Sequence, residues 1–343
     1  MAKITVGLDI GFSTIKAVAL EHGSDLPKLS AIGTIAAPVP GMASDGDQDL
    51  SVVAGNIKKL LEASKLQEKE VIVALPESKV FTRVIDDLPY LSDSELPSAI
   101  RYASEEFIPL PMNEVNLNWQ VLSRGIQKTD RTVVFVVASP KQVVQKYVRL
   151  LEMAGLKPKS LETEIIATSR ALVGNNPFSP TTLIIQMGTA TTDFAIVSKG
   201  LILLTRSIAT GGLALTRALA QHFNFEMTQA EEYKKVYGLL TDQLEGKVYE
   251  ALRPVVETIM DETRRVIEAF HAKNPTNKIK RVVVSGGGAK MPGLVVYLAN
   301  NLNLEVQEAD PWYFITKDAA FKAKLVADGP LYTVAVGLAL WEP

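Results

Sequence analysis

The chain has 343 residues, with 36 Lys+Arg against 38 Asp+Glu and a formal net charge of −2, so it carries no electrostatic footprint for nucleic acid. Hydrophobic residues at 47% and charged residues at 22% are ordinary for a chain with a real core. They exclude disorder, collagen and coiled coil, and at about 150 residues per domain the length predicts two domains. The absence of Cys excludes disulfides, thiolate zinc sites and thiol nucleophiles, and allows a reducing compartment.

The N-terminus enters a strand pattern at Ile4 without a signal-peptide core. The longest uncharged apolar stretch, Leu331 to Trp341, is eleven residues, and spanning a bilayer takes about 20, so the chain is expected not to cross a membrane by itself. Ile4 to Leu20 reads as two strands around the turn Gly11-Phe12-Ser13, and Leu29 to Ala37 as a third. Pro38 to Asp49 is loop chemistry, and Val53, Ile57, Leu60 and Leu61 mark one face of a helix over Leu50–Ser64. Strands follow at Val71–Leu75 and Val80–Ile85. Ser92 and Glu95 then form a capping box for a helix to about Glu106. Leu117–Leu122 and Thr132–Ala138 read as strands and Lys141–Met153 as a helix closed by Gly155.

A second strand–turn–strand begins at Thr182, turning at Gly188 and continuing through Asp193–Ser198 and Leu201–Ser207. Helices are predicted after Gly211-Gly212, over Thr228–Tyr237 and over Gln243–Lys273. Then come a strand Arg281–Val284, a glycine turn, a helix Met291–Asn301 and a last helix Tyr332–Leu340. The glycine turns near residues 10 and 188 lie about half the chain apart, and each opens a run of strands followed by helices. That weak duplication implies two related α/β domains facing each other across a cleft.

Four elements carry candidate chemistry. In the first turn, Gly11 permits a positive φ that aims backbone N–H groups at an anion, with Phe12 beside it and Ser13 and Thr14 adding hydroxyls. Asp9 at the strand end suits a hydrated Mg²⁺, and Lys16 has the reach for a phosphate; an ordinary β-hairpin accounts for the segment equally well. In the second turn, Gly188, Thr189, Ala190 and Thr191 repeat the chemistry, and two such turns can clamp a polyphosphate. Third, Gly286, Gly287 and Gly288 followed by Lys290 would let a flat ring lie against bare backbone. Fourth, Glu231 and Lys234, three apart on a helix, project from one face, as solvated surface pairs also do.

In this order and spacing the elements resemble the actin-like ATPase superfamily over essentially the whole chain. The resemblance implies a duplicated, ribonuclease-H-like α/β fold with two lobes around a nucleotide cleft and an inserted subdomain. Its first phosphate motif matches Gly7 to Lys16, its second Gln186 to Asp193 except at the first position, and its adenosine motif Val284 to Gly293. The Ala-Glu-x-x-Lys helix of FtsA-like members, which contacts ribose or adenine, matches Ala230 to Lys234, and Gly211-Gly212 lies in the same neighbourhood.

Within the superfamily the chain looks most like the PilM family of type IV pilus assembly, on Ala99 to Pro109, Leu161 to Arg170, Arg206 to Gly212, Ala309 to Trp312 and Val336 to Leu340. The lobes are then expected at residues 1–160 and 161–343, the insert at about 76–156, and the terminal helix packed back on the first lobe. The resemblance implies bound ATP or ADP with Mg²⁺ at Asp9. It also implies capture of the N-terminal tail of a PilN-like membrane protein beside the insert, and an indirect link to a PilO-like protein and the pilus motor; on composition Phe81, Tyr102 and Phe107 are candidates for that groove, a region where aromatics are more often core. A cytoplasmic chain recruited to the inner membrane follows, at most a weak ATPase. FtsA-like proteins add a C-terminal amphipathic membrane helix, which no residues up to Pro343 supply. The alternatives are an FtsA-like polymerising ATPase and a small-molecule kinase of the same fold.

Gln186 replaces the carboxylate that opens the second phosphate motif in hydrolytic members. An amide accepts no proton as a base, although it can orient water. Glu162 or Glu164 would substitute as a water-positioning carboxylate, or simply be a helix N-terminal acid pair.

Overall fold

The computed structural model describes residues 3–342 except 24, 125–130, 175, 177 and 318–321. Strands β1 (Lys3–Ile10), β2 (Thr14–His22) and β3 (Lys28–Ala36) form an antiparallel meander, and helix α1 (Asp47–Ala63) leads to β4 (Glu70–Leu75), which pairs parallel with β1. The chain then departs into a separate antiparallel sheet of β5 (Phe81–Pro89), β6 (Val115–Arg124) and β7 (Arg131–Pro140), with α2 (Leu96–Ser104) packed on it. It returns through α3 (Lys141–Met153) to β8 (Lys157–Thr163), completing a five-stranded sheet ordered β3-β2-β1-β4-β8. Although it follows the separate sheet, α3 buries Tyr147, Leu150 and Leu151 with Leu8, Ile15 and Ile57 of the five-stranded sheet and α1.

After α4 (Glu164–Leu172) the pattern repeats with β9 (Thr182–Met187), β10 (Thr192–Ser198) and β11 (Leu201–Ile208), then α5 (Gly212–Phe223), α6 (Met227–Tyr237) and α7 (Lys247–Lys273). Strand β12 (Arg281–Ser285), α8 (Leu294–Leu302) and β13 (Glu305–Glu308) complete a second five-stranded sheet, ordered β11-β10-β9-β12-β13. The two sheets have the same strand order, so the duplication extends from the glycine turns to the topology. Every residue of β9 and β10 is buried, as a central strand pair covered on both faces requires. The chain ends in α9 (Lys322–Ala327) and α10 (Gly329–Ala339).

Helices α4 and α10 pack between the two sheets. Helix α4 places Ile165 and Val173 against Ile184, Ala195 and Val197 of the second sheet. Helix α10 places Ala335, Val336 and Ala339 on Val18 and Leu20 of the first. Small residues permit this close crossing: a Cβ on Gly7 would collide with the Ala335 carbonyl, and one on Gly337 with the Ala167 backbone of α4. Arg170 of α4 adds a bidentate pair to Glu162 at 2.8 Å per bond and donates to the Gly337 carbonyl at 2.7 Å.

Several boundaries differ from the sequence expectation. The regular part of α2 runs from Leu96, but the expected capping-box contact is present: Glu95 accepts from the Ser92 backbone N–H (3.0 Å) and hydroxyl (2.6 Å), the Leu96 N–H donates to the Ser92 carbonyl at 3.1 Å, and Pro97 sits in the first turn. Left-handed Glu245 and Gly246 delay α7 to Lys247, and left-handed Gly293 delays α8 to Leu294. Strands β8 and β13, which alternate charged and short apolar residues, carry too little hydrophobic signal to be read as strands.

Gly337→Leu is expected to force α10 from α4 and lower stability by about 1–3 kcal/mol, measured as a lower urea midpoint. Gly55→Ala, in α1 with open space around the added methyl, is expected to raise the midpoint by about 0.5–1 kcal/mol.

Candidate functional site

Both central hairpins end in the same tight turn. The Gly11 N–H donates to the Thr14 carbonyl at 3.0 Å, and the Gly188 N–H to that of Thr191 at 2.9 Å. Gly11 does not adopt the positive φ expected of it. Glycine is needed because a Cβ there would lie 2.9 Å from the Thr14 carbonyl oxygen. The tips meet: the Ser13 and Thr189 hydroxyls are 2.8 Å apart. They stand in one cleft of about 1320 Å³ that both sheets line, as do the β12 turn and the start of α10.

Strand register places polar pairs just behind each tip. Asp9 lies across from Lys16, at 3.2 Å, and at the equivalent positions of the second hairpin Gln186 lies across from Asp193. The Gln186 amide oxygen accepts from the Thr168 hydroxyl of α4, and Gln186 lines the cleft with an amide, which accepts no proton as a base. Asp193 accepts from Ser207 (2.5 Å) and Thr191 (3.1 Å), yet burial pushes its carboxyl up to about 6. Glu164, at the N-terminus of α4, lines the same cleft. Burial, reinforced by Asp193, Asp9 and Glu77, holds its carboxyl well above the usual carboxylate range. Behind the wall, Glu77 is pushed up to about 8 by burial and by Asp193, while it accepts from Thr82 at 3.2 Å and Ile165 N–H at 3.5 Å.

Phe12, Ser13, Thr14, Lys16, Thr189, Ala190, Thr191, Gly286 and Gly287 all line the cleft with the residues above. Gly211, Gly212, Gly288, Glu231, Lys234 and Lys290 do not. Gly211 lets α5 approach the second tip: a Cβ there would lie 2.7 Å from the Gly188 carbonyl, which accepts from Gly212 N–H at 2.9 Å. Lys234 donates to the Gly212 carbonyl (3.0 Å), Thr216 (2.9 Å) and Glu231 (2.6 Å), tying α6 to the start of α5. Burial lowers the Lys234 ammonium against the opposing pull of Glu231. Glu231 itself, raised by burial but outweighed by its bonds to Lys234 and Thr216, ends below its ordinary value. Gly286, at φ +81, and Gly288 press on Met187, so two of the three glycines serve backbone approach. Lys290 reaches the Ala327 carbonyl beside Asp328.

Asp193, Glu77, Thr168 and Tyr147 are cleft or second-layer residues that sequence reasoning did not single out. Only Asp193 left a signal, as the last acid of the second phosphate motif. The others come from separate elements that meet only in the folded chain.

A carboxyl raised in the folded state keeps a proton that the unfolded chain releases between its ordinary value and the raised one. Stability therefore falls as pH rises through that window. For Glu77 the window runs from about 4.5 to about 8. Glu77→Gln is expected to flatten the decline by up to about 1.4 kcal/mol per pH unit, read from urea midpoints at several pH values between those limits.

The family model described as "Type IV pilus assembly protein PilM" matches residues 7–342. The solved PilM-PilN type IV pilus biogenesis complex contains a chain of 28% identity that superposes with a TM-score of 0.86, covering 99% of each chain. The cell division protein FtsA of Bacillus subtilis is 21% identical over 381 residues, 98% of this chain and 82% of its own length. MreB5 of Spiroplasma citri, solved bound to AMPPNP, shares the fold at a TM-score of 0.56 and 16% identity, over 100% of this chain and 96% of its own. The fold is that of the actin-like ATPases, and the chain belongs to the PilM family of type IV pilus assembly proteins.

Proposed function

We propose that the protein is a nucleotide-loaded scaffold that holds the cytoplasmic tail of a PilN-like membrane protein during pilus assembly. The observation that carries the reading is the meeting of two equivalent hairpin tips in one cleft, because a polyphosphate clamped there touches both halves. ATP or ADP takes that place, with the phosphates on Gly11–Thr14 and Gly188–Thr191 and the nucleoside toward Gly286 and Gly287. Mg²⁺ is held by one or two carboxylates, phosphate oxygens and its own water; Asp9, on the cleft wall, is the carboxylate that fits, and the ion would neutralise phosphate charge. Gly211, Gly212, Glu231 and Lys234 act from behind, by fixing the second tip.

Hydrolysis needs a base or an oriented water together with charge stabilisation. The Gln186 amide oxygen is occupied by Thr168, and burial keeps Glu164 protonated above the usual carboxylate range. Both features support slow turnover. Nucleotide then serves to favour the closed arrangement through its differential affinity for it.

A second groove, of about 780 Å³, lies between the separate sheet and the first five-stranded sheet, lined among others by Pro97, Arg101, Met112, Leu117, Trp119 and Leu161. It suits an extended peptide that seats apolar side chains beside a polar rim. Phe81, Tyr102 and Phe107 do not line it. Phe81 and Phe107 pack with Ile108 and Met112, and Tyr102 stands exposed elsewhere. In this reading residues 1–160 and 161–343 are the two lobes, the separate sheet is the insert, and attachment to the inner membrane runs through the PilN-like tail toward a PilO-like protein and the motor. No helix among the described residues is long and apolar enough to cross a membrane.

ATP with Mg²⁺ at 100 times its Kd is expected to stabilise the protein by about 2.7 kcal/mol, seen as a raised Tm that Gly11→Val abolishes, with little phosphate released. Brisk phosphate release would contradict the scaffold reading. Calorimetry with a PilN-tail peptide is expected to show binding that Trp119→Ala weakens about tenfold or more.

A further inference from the structure

We propose that Tyr147 distinguishes a nucleoside triphosphate from a diphosphate, by donating its hydroxyl hydrogen to the terminal phosphate. The inference rests on the nucleotide reading of the cleft and names a specificity residue within it. Tyr147 is 3% exposed and packs its ring with the core beneath the first sheet, yet it lines the cleft. The Tyr147 hydroxyl makes no hydrogen bond with any described residue and is not one of the buried atoms left without a partner, so it opens on the cleft, where a ligand acceptor can meet it. The groups that act on it electrostatically are Glu164 and Asp9, both on the cleft wall. An unpartnered donor at the edge of a cavity marks where a ligand acceptor belongs.

Topology says which part of the ligand that is. Ser285, Gly286, Gly287 and Leu331 line the cleft where α10 covers the first sheet. Tyr147 approaches from the opposite face of the same sheet, where α1 and α3 pack. A ligand with its nucleoside at the glycine turn and its middle phosphates between the tips ends at Tyr147. Lys79 and Lys146 line the cleft as well, as does Asp45. Lys146 is held there by Asp45 at 2.6 Å and the Met42 carbonyl at 2.8 Å. Burial holds the phenol protonated far above neutral pH, so it is a lasting donor. A phosphate oxygen can accept from it, and a diphosphate stops one phosphate short.

The test is calorimetric titration of the wild-type protein and Tyr147→Phe with AMPPNP and with ADP, each with Mg²⁺. Tyr147→Phe keeps the ring and therefore the core, and a hydrogen bond to a charged acceptor is worth about a factor of ten or more in affinity. We expect AMPPNP binding to weaken about tenfold and ADP binding to stay within twofold, so that ADP binding also reports intact folding. Unchanged AMPPNP affinity, or an equal loss for both nucleotides, overturns the assignment while leaving the cleft a nucleotide site. Failure of the wild-type protein to bind either nucleotide overturns both readings.

Discussion

Two β-hairpins must meet tip to tip, and a glycine forms the corner of each. Ser13 and Thr189 touch at 2.8 Å, and the backbone of each turn closes on itself through Gly11 or Gly188. A larger residue in either corner would open its turn. The tips hold their places because α4 and α10 pack between the sheets, α4 on Ile184 and Ala195 of the second and on Ile72 and Ala74 of the first, and α10 on Val18 and Leu20 of the first. The glycines at the crossing, Gly7 and Gly337, are therefore as much part of the cleft as the residues that line it.

Equivalent hairpins do not carry equivalent charge. The first sets Asp9 against Lys16, and the second sets Gln186 against Asp193 at the same two positions. One half thus keeps its acid on the central strand, paired with a cation. The other carries an amide on the central strand and an acid on its neighbour, hydrogen-bonded to Ser207 and Thr191 and shielded from water. With Glu164 and Glu77 close by, the second side is rich in carboxyls whose charged forms burial disfavours. Such a wall receives a ligand that brings its own cation better than it generates a nucleophile.

The separate sheet is joined to both halves. Thr82 of β5 donates to Glu77 behind the cleft wall and lies 2.8 Å from Thr205 of β11, while Lys273 of α7 reaches Asp86 of β5 at 2.7 Å. Its other side forms the groove with the first five-stranded sheet. Cleft and groove are thus two faces of one set of packed elements, the physical connection that a scaffold coupling two ligands requires.

Local chemistry determined what the sequence made legible. Glycine and small hydroxyl residues at two turns, apolar alternation in β1, β2, β9 and β10, and the amide at Gln186 depend on neighbours a few residues away, so the duplicated α/β plan and the turn residues that line the cleft were readable. Tertiary structure alone decided that Gly211, Gly212, Glu231 and Lys234 brace the second tip instead of facing the cleft, because that depends on how α5 and α6 pack behind it. It also decided that Thr168 donates to Gln186, that Tyr147 lines the cleft from α3, and that burial and the charge of Asp193 raise Glu77. Those side chains come from elements far apart in the chain, and their protonation and partners follow from burial, which no short stretch of residues encodes.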